Sequence, residues 1–206
     1  MGIEIKALRR QDETKAMEFA IEGMHFNWFM SNKVLLKLYG RYFWYMESAK
    51  ATQIIAAYDG EEFLGVLLAE IYGEDKIPTT FGRKIYIKVI EWVQNTFIKG
   101  GVETYDVTNQ KLLKRYQKQA HVEGEIVFLA ADPKAKVKGI GSALLAELEK
   151  RERGKRVYLF TDDSCTYQFY EHRGFEKVGD ETVYLDFGNH SRYLRCLLYS
   201  KVLGQE

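Results

Sequence analysis

The chain has very little cysteine and histidine: two Cys and four His among 206 residues. Cys165 and Cys196 cannot build a disulfide framework, and the sparse Cys and His follow no zinc-ligand spacing, so no metal is expected. Two reduced thiols in a cytoplasmic protein is the reading that follows. Apolar runs approaching the roughly 20 residues of a membrane span are also missing. The opening "MGIEIKALRR" is too charged for a signal peptide. Lys6 stands where N-myristoylation wants Ser or Thr. Neither sign of charge dominates: 30 Lys and Arg face 29 Asp and Glu, which gives no pull toward nucleic acid or a membrane surface. The composition, 46% hydrophobic and 29% charged, is that of an ordinary globular protein. At this length one domain over 1–206 with a substantial core is the simplest organisation.

Periodicity places the elements. "IEIKAL" (3–8) alternates like a short strand, and Asp12 precedes a helical stretch through Met24. A second helix is expected from near Ser31 to about Met46. "TQIIAAY" and "FLGVLLAEIY" flank "DGEE", a β-hairpin signal around Asp59-Gly60. Residues 83–98 look helical, and 110–119 form a short basic helical piece. "EIVFLAA" (125–131) reads as a buried strand, followed by helix 140–152, strand 156–160, helix 163–172 and two C-terminal strands. This order predicts an α/β (α+β) domain with a mixed central sheet flanked by helices. The stretch 73–123 exceeds a simple crossover and is expected to be a helical insertion within the domain.

Two phosphate-binding patterns are absent. No G-x-x-x-x-G-K-[ST] string occurs, and a G-x-G-x-x-G fingerprint started at Gly139 ends on Leu144. What remains is "DPKAKVKGIGSALL", a loop in which backbone can approach a ligand at Gly139 and Gly141 before a helix begins. Unpaired N–H groups and the positive end of the helix dipole suit a pyrophosphate there. Lys134, Lys136 and Lys138 crowd the helix end that disfavours cations, a conflict an anion would relieve. From these residues alone, an anion site and a solvated loop with surface lysines both stay open.

"EIVFLAADPKAKVKGIGSALL" resembles motif A of the GNAT acetyltransferases, a strand followed by Q/R-x-x-G-x-G/A and a helix, with Lys136 at the Q/R position. "LFTDDSCTYQFYEHRGFEKVG" (159–179) is similar to the family's next segment, with Tyr170, Glu171, Gly174 and Phe175 at matching offsets. The N-terminal half matches by element order only. The resemblance implies the GNAT acyl-CoA N-acyltransferase fold and acetyl-CoA as acetyl donor. It further implies that backbone of Leu129, Ala130 and Ala131 pairs with the pantetheine arm. The N–H groups of Lys136, Val137, Lys138, Gly139, Ile140, Gly141 and Ser142 would hold the diphosphate. Asp163 and Thr166 stand where the family often has Asn and Ala, which puts a carboxylate near a polyanion unless Asp163 turns inward to cap its own helix.

Acetyl transfer to an amine poses two proton problems. An amine of pKa near 10.4 is unprotonated in only about one molecule in 2,500 at pH 7, and the leaving thiolate, pKa about 8.5, gains from a proton. Tyr170 matches the family tyrosine that points at the thioester sulfur; packing in the core is its other reading. Asp163, Thr166, Tyr167 and Tyr170 are expected on one face of a helix. Glu125 is the base candidate, because the resemblance to the histone-acetylating branch places a catalytic glutamate at the start of this strand. Alternation would put it on the face of Val127, Leu129 and Ala131; a solvated strand end is the alternative. His121, Glu123 or water are substitutes for it. The aromatic segment 26–45 could line an acceptor pocket, pack on the sheet or form a homodimer interface, and "KLLKRYQKQ" (111–119) could meet an acidic acceptor or solvent. The expected activity is transfer of acetyl from acetyl-CoA to a primary amine by direct attack, with a non-catalytic acyl-CoA-binding module as the alternative.

Overall fold

A computed structural model describes residues 2–24, 26, 32–97, 102–186 and 191–205. The chain runs β1 (Glu4–Lys6), a 3-10 turn (Arg10–Asp12), α1 (Glu13–Gly23), α2 (Lys33–Lys50), β2 (Gln53–Asp59), β3 (Glu62–Ile71), α3 (Phe81–Phe97) and α4 (Val102–Tyr116). It continues through β4 (Gly124–Ala131), α5 (Ile140–Arg151), β5 (Arg156–Asp162), α6 (Gln168–Glu171), β6 (Glu176–Asp186) and β7 (Ser191–Val202). The seven strands form one sheet in the order β1-β2-β3-β4-β5-β7-β6, antiparallel except for the β4–β5 pair. The mixed α/β expectation holds.

Local chemistry explains the boundaries. The β2–β3 hairpin turns through Gly60, whose φ of 58° lies in the left-handed region that Gly occupies without penalty. Asn32 caps α2, its side chain accepting from the N–H groups of Val34 and Leu35 at 2.9 and 3.2 Å. The expected start near Ser31 lies outside the described residues, as do residues 27–30 of the aromatic segment and Ile98 of the α3 stretch. α2 continues to Lys50, one turn beyond the expected end.

The sheet is covered on both faces. α5 buries Ile140, Leu144, Leu145 and Leu148 against Ile55, Leu67, Leu159 and Tyr199 on one face. On the other, α1 and α2 bury Phe19, Phe43 and Trp44 against Tyr58, Leu68 and Phe128, while α4 buries Leu112, Leu113 and Tyr116 against Tyr158, Leu194 and Leu198. α4 therefore corrects the basic segment: it begins at Val102 rather than near 110, and it is amphipathic. Two of its cations, Lys111 and Arg115, pair with Glu181 of β6. Phe43 and Trp44 answer in part for the aromatic segment, which uses them to cover the sheet.

Candidate active site

The site begins where α5 meets the sheet. Gly139 is its N-cap, with φ 85°, and no side chain caps this helix. The first-turn N–H groups thus have no side-chain acceptor. Gly65 of β3 lets the turn come close: a Cβ there would lie 2.8 Å from both the Ala130 carbonyl oxygen and Ile140 Cγ2. Gly141 also allows close packing, because a Cβ there would meet the Phe169 ring at 2.9 Å. In the preceding loop Ala135 and Val137 turn inward onto the α5-side core, which points Lys134, Lys136 and Lys138 outward. No carboxylate pairs with these three lysines among the described residues.

The second component is a split in the sheet. β4 and β5 are parallel neighbours, yet they pair only at Gly124↔Val157 and Glu125↔Tyr158. Beyond that point the strands share no ladder. Asp132 donates its N–H to the Leu64 carbonyl of the β3 side at 2.7 Å. By the alternation of a strand, the peptide groups of Ala131 and Leu129 then point away from β3, into the split. They form an internal sheet edge with donors and acceptors in the spacing that an added extended chain can meet.

Glu125 sits at the closed end of the split, but not on the expected face. β4 carries a bulge at Val127: Leu68 pairs with Phe128 and Ala69 with Ile126, so Val127 has no partner on β3. The bulge reverses the alternation. Leu129 joins the α5-side core, whereas Glu125 lies with Tyr158 on the side covered by α2 and α4. The Tyr158 hydroxyl donates to Glu125 Oε2 at 2.9 Å, and the Tyr72 hydroxyl lies 2.9 Å from that of Tyr158. Burial is the largest influence on Glu125 and pushes its carboxyl up to about 7; the hydrogen bond from Tyr158 and the charge of Lys50 oppose this, and Glu47 and Glu70 add to it. Glu70 is its direct cross-strand partner and is itself paired with Lys76 at 3.0 Å. Burial also raises Tyr158, so that hydroxyl remains a donor. Tyr72 and Tyr158 are the part of this site that the sequence reading missed. The substitutes for Glu125 fare differently: His121 is exposed, and Glu123 accepts the Arg156 N–H at 2.9 Å, a strand-joining role.

Tyr170 stands on the α5 side. Its ring packs edge-on against Phe169 and Phe175, and burial pushes its phenol well above the ordinary value. Its hydroxyl makes no hydrogen bond among the described residues, so the proton it keeps at neutral pH is uncommitted. The expected long helix 163–172 is not formed. α6 is a single turn, Gln168–Glu171, and the chain from Asp163 to Tyr167 is a series of turns. Asp163, Thr166 and Tyr170 consequently share no helical face. Asp163 is exposed and caps nothing of its own; its Oδ1 accepts the Arg195 N–H at 3.1 Å on β7. Thr166 is also exposed, and its carbonyl accepts the N–H of Phe169 at 3.1 Å. Burial lifts the Cys165 thiol to about 11, so it stays protonated near neutral pH and is a poor nucleophile.

The family profile of the acetyltransferase (GNAT) domain matches residues 101–177, which contain the split strand, the cradle and Tyr170. The stretch 101–177 is similar to a GNAT acetyltransferase domain. Solved structures carry the same fold over essentially its whole length. A Corynebacterium glutamicum protein described as histone acetyltransferase HPA2 and related acetyltransferase is 17% identical with a TM-score of 0.58, covering 100% of this chain and 99% of its own. The Brucella melitensis ribosomal-protein-alanine N-acetyltransferase is 15% identical, TM-score 0.53, with 97% and 99% covered. The Salmonella typhimurium protein yncA, solved with its cofactor acetyl-CoA, is 12% identical, TM-score 0.55, with 100% and 96% covered. At these identities the likeness is one of fold. No curated protein sequence matches the chain. Among the described residues no helix is long and apolar enough to cross a membrane, and no cluster of three His, Cys, Asp or Glu has metal-site geometry.

Proposed function

We propose that this protein is a GNAT-superfamily enzyme that transfers acetyl from acetyl-CoA to a primary amine by direct attack. The observation that carries the reading is the split: the β4–β5 ladder stops at a carboxyl raised to about 7, one strand-length from an uncapped helix N-terminus. In this reading the N–H groups of Lys136 to Ser142 hold the diphosphate, and Leu129 to Ala131 pair with the pantetheine amides along the free edge. The thioester then lies within the split, with Tyr170 on the α5 side and Glu125 on the other.

The chemistry follows from that placement. The acceptor arrives as an ammonium, favoured by Glu125 and its neighbour Glu70. Glu125 takes its proton, and the freed nitrogen lone pair forms the C–N bond at the thioester carbonyl. The C–S bond breaks as the intermediate collapses; Tyr170 gives its proton to the departing thiolate and regains one as the nitrogen sheds its second, so that a neutral amide, thiol and phenol remain. A carboxyl titrating near 7 suits a base working near neutral pH.

Thiol release from acetyl-CoA in the presence of a panel of primary amines, with acetylated product identified by mass, tests the reading. Release that depends on the amine supports it. Saturable acetyl-CoA binding with no acceptor-dependent release from any small amine, peptide N-terminus or lysine peptide would favour the regulatory module.

A further inference from the structure

Arg173 follows α6 and reaches across to the first turn of α5. Its Nε donates to Ser142 Oγ at 3.2 Å, Nη2 donates to the same oxygen, and Nη1 donates to the Phe169 carbonyl at 3.0 Å. The central carbon of the guanidinium lies over the Phe169 ring, 3.7 Å from its centroid. A half-buried guanidinium commonly faces a carboxylate, but none lies within ion-pair distance of Arg173 among the described residues. Lys201 on the same wall differs, since it is paired with Glu149 at 2.6 Å.

Ser142 sharpens the point. A hydroxyl oxygen has two lone pairs, and both are engaged by Arg173, so its hydrogen can only be donated. Arg173 retains two further N–H groups. Together they form a cluster of donors with no carboxylate of its own, since Glu149 nearby is paired with Lys201, and this is the composition of an anion receptor. The cluster opens on a shallow depression of about 170 Å³ lined by Ser142, Leu145, Ala146, Glu149, Arg173 and Lys201. That depression runs one to two turns along α5, beyond the backbone groups assigned to the diphosphate.

We propose that Arg173, seated on Ser142, binds the 3′-phosphate of coenzyme A and selects the complete cofactor over its 3′-dephospho form. This rests on the acetyl-CoA reading above: beyond the diphosphate, the remaining part of that cofactor is its 3′-phosphoadenosine. The fork and the aromatic platform hold the guanidinium in place before the ligand arrives, so little side-chain freedom is lost on binding.

Calorimetric titration with acetyl-CoA and with 3′-dephospho-acetyl-CoA, on the unmodified protein and on Arg173→Gln, tests it. The unmodified protein is expected to prefer acetyl-CoA by about 10- to 100-fold, the range for a charge-assisted contact. Arg173→Gln should lose that preference while its affinity for the dephospho form stays the same. An unmodified protein that binds the two equally overturns the proposal without any variant. So does an Arg173→Gln penalty of equal size on both cofactors, which would make Arg173 a strut between α6 and α5. Should Arg173→Gln not fold, Arg173→Lys keeps the charge without the fork and is expected to retain part of the preference. Failure of the unmodified protein to bind either cofactor would instead sink the acetyl-CoA reading, and this one with it.

Discussion

Replacing Glu125 by Gln should make the protein more stable at alkaline pH and far less active. An ordinary glutamate titrates near 4.5, whereas burial holds Glu125 at about 7. Because the pKa is raised on folding, the folded protein binds more protons than the unfolded chain between about pH 4.5 and 7. The group's contribution is therefore fully present below 4.5 and lost as pH rises through 7. At 1.36 kcal/mol per pH unit, the difference is about 3 kcal/mol as an upper bound, since the side chain is only partly shielded from water. Glutamine keeps the acceptor for Tyr158 but has no charge to bury. Urea unfolding of both proteins at about pH 4 and about pH 8 should give nearly equal stabilities at the lower pH and a more stable variant at the higher one. Turnover of the variant should fall about 100-fold or more, and the acid limb of its pH–rate profile should disappear. A variant that is no more stable at pH 8 and keeps the limb would refute the assignment of Glu125 as a buried base.

Three other perturbations probe separate parts of the site. Tyr158→Phe removes the hydrogen bond that holds the Glu125 carboxyl down, so the acid limb of the rate profile should move to higher pH; a limb that moves lower or not at all counts against the network. Tyr170→Phe should lower kcat about tenfold or more with acetyl-CoA affinity retained, as stopped-assay kinetics and calorimetry together would show. Gly65→Ala pushes a methyl against the Ala130 carbonyl and Ile140, and is expected to cost about 1–3 kcal/mol in urea unfolding and to weaken acetyl-CoA binding in parallel.

Much of this arrangement could be read from the sequence because it is local. The hairpin at Gly60, the apolar run of β4 and the α5 stripe are written in short spacings, and the fold class follows from their order. What escaped depends on pairing between distant strands. The phase of Glu125 is reversed by the bulge at Val127, which exists only relative to Leu68 and Ala69 of β3. Tyr158 reaches Glu125 because two parallel strands align at that one register, and Tyr72 joins through a third strand. Residues 163–167 have helical spacing, but Asp162 competes for the turn: its Oδ1 accepts the Ser164 N–H at 2.8 Å, and Asp163 is drawn to β7. α4 was underestimated since its first turns mix Thr, Asp and Asn with single apolar residues, and only packing on β6 and β7 reveals its buried side.

Acetyl-CoA binding by the cradle is the claim on which the others depend, and calorimetric titration of the unmodified protein beside Gly139→Glu tests it most directly. Gly139 sits at φ 85°, a conformation unfavourable for a side chain, and a carboxylate there would face the bound phosphates. Saturable binding by the unmodified protein that is lost in a folded Gly139→Glu variant is the predicted result. Binding that survives the substitution, or no binding by the unmodified protein, would contradict the account.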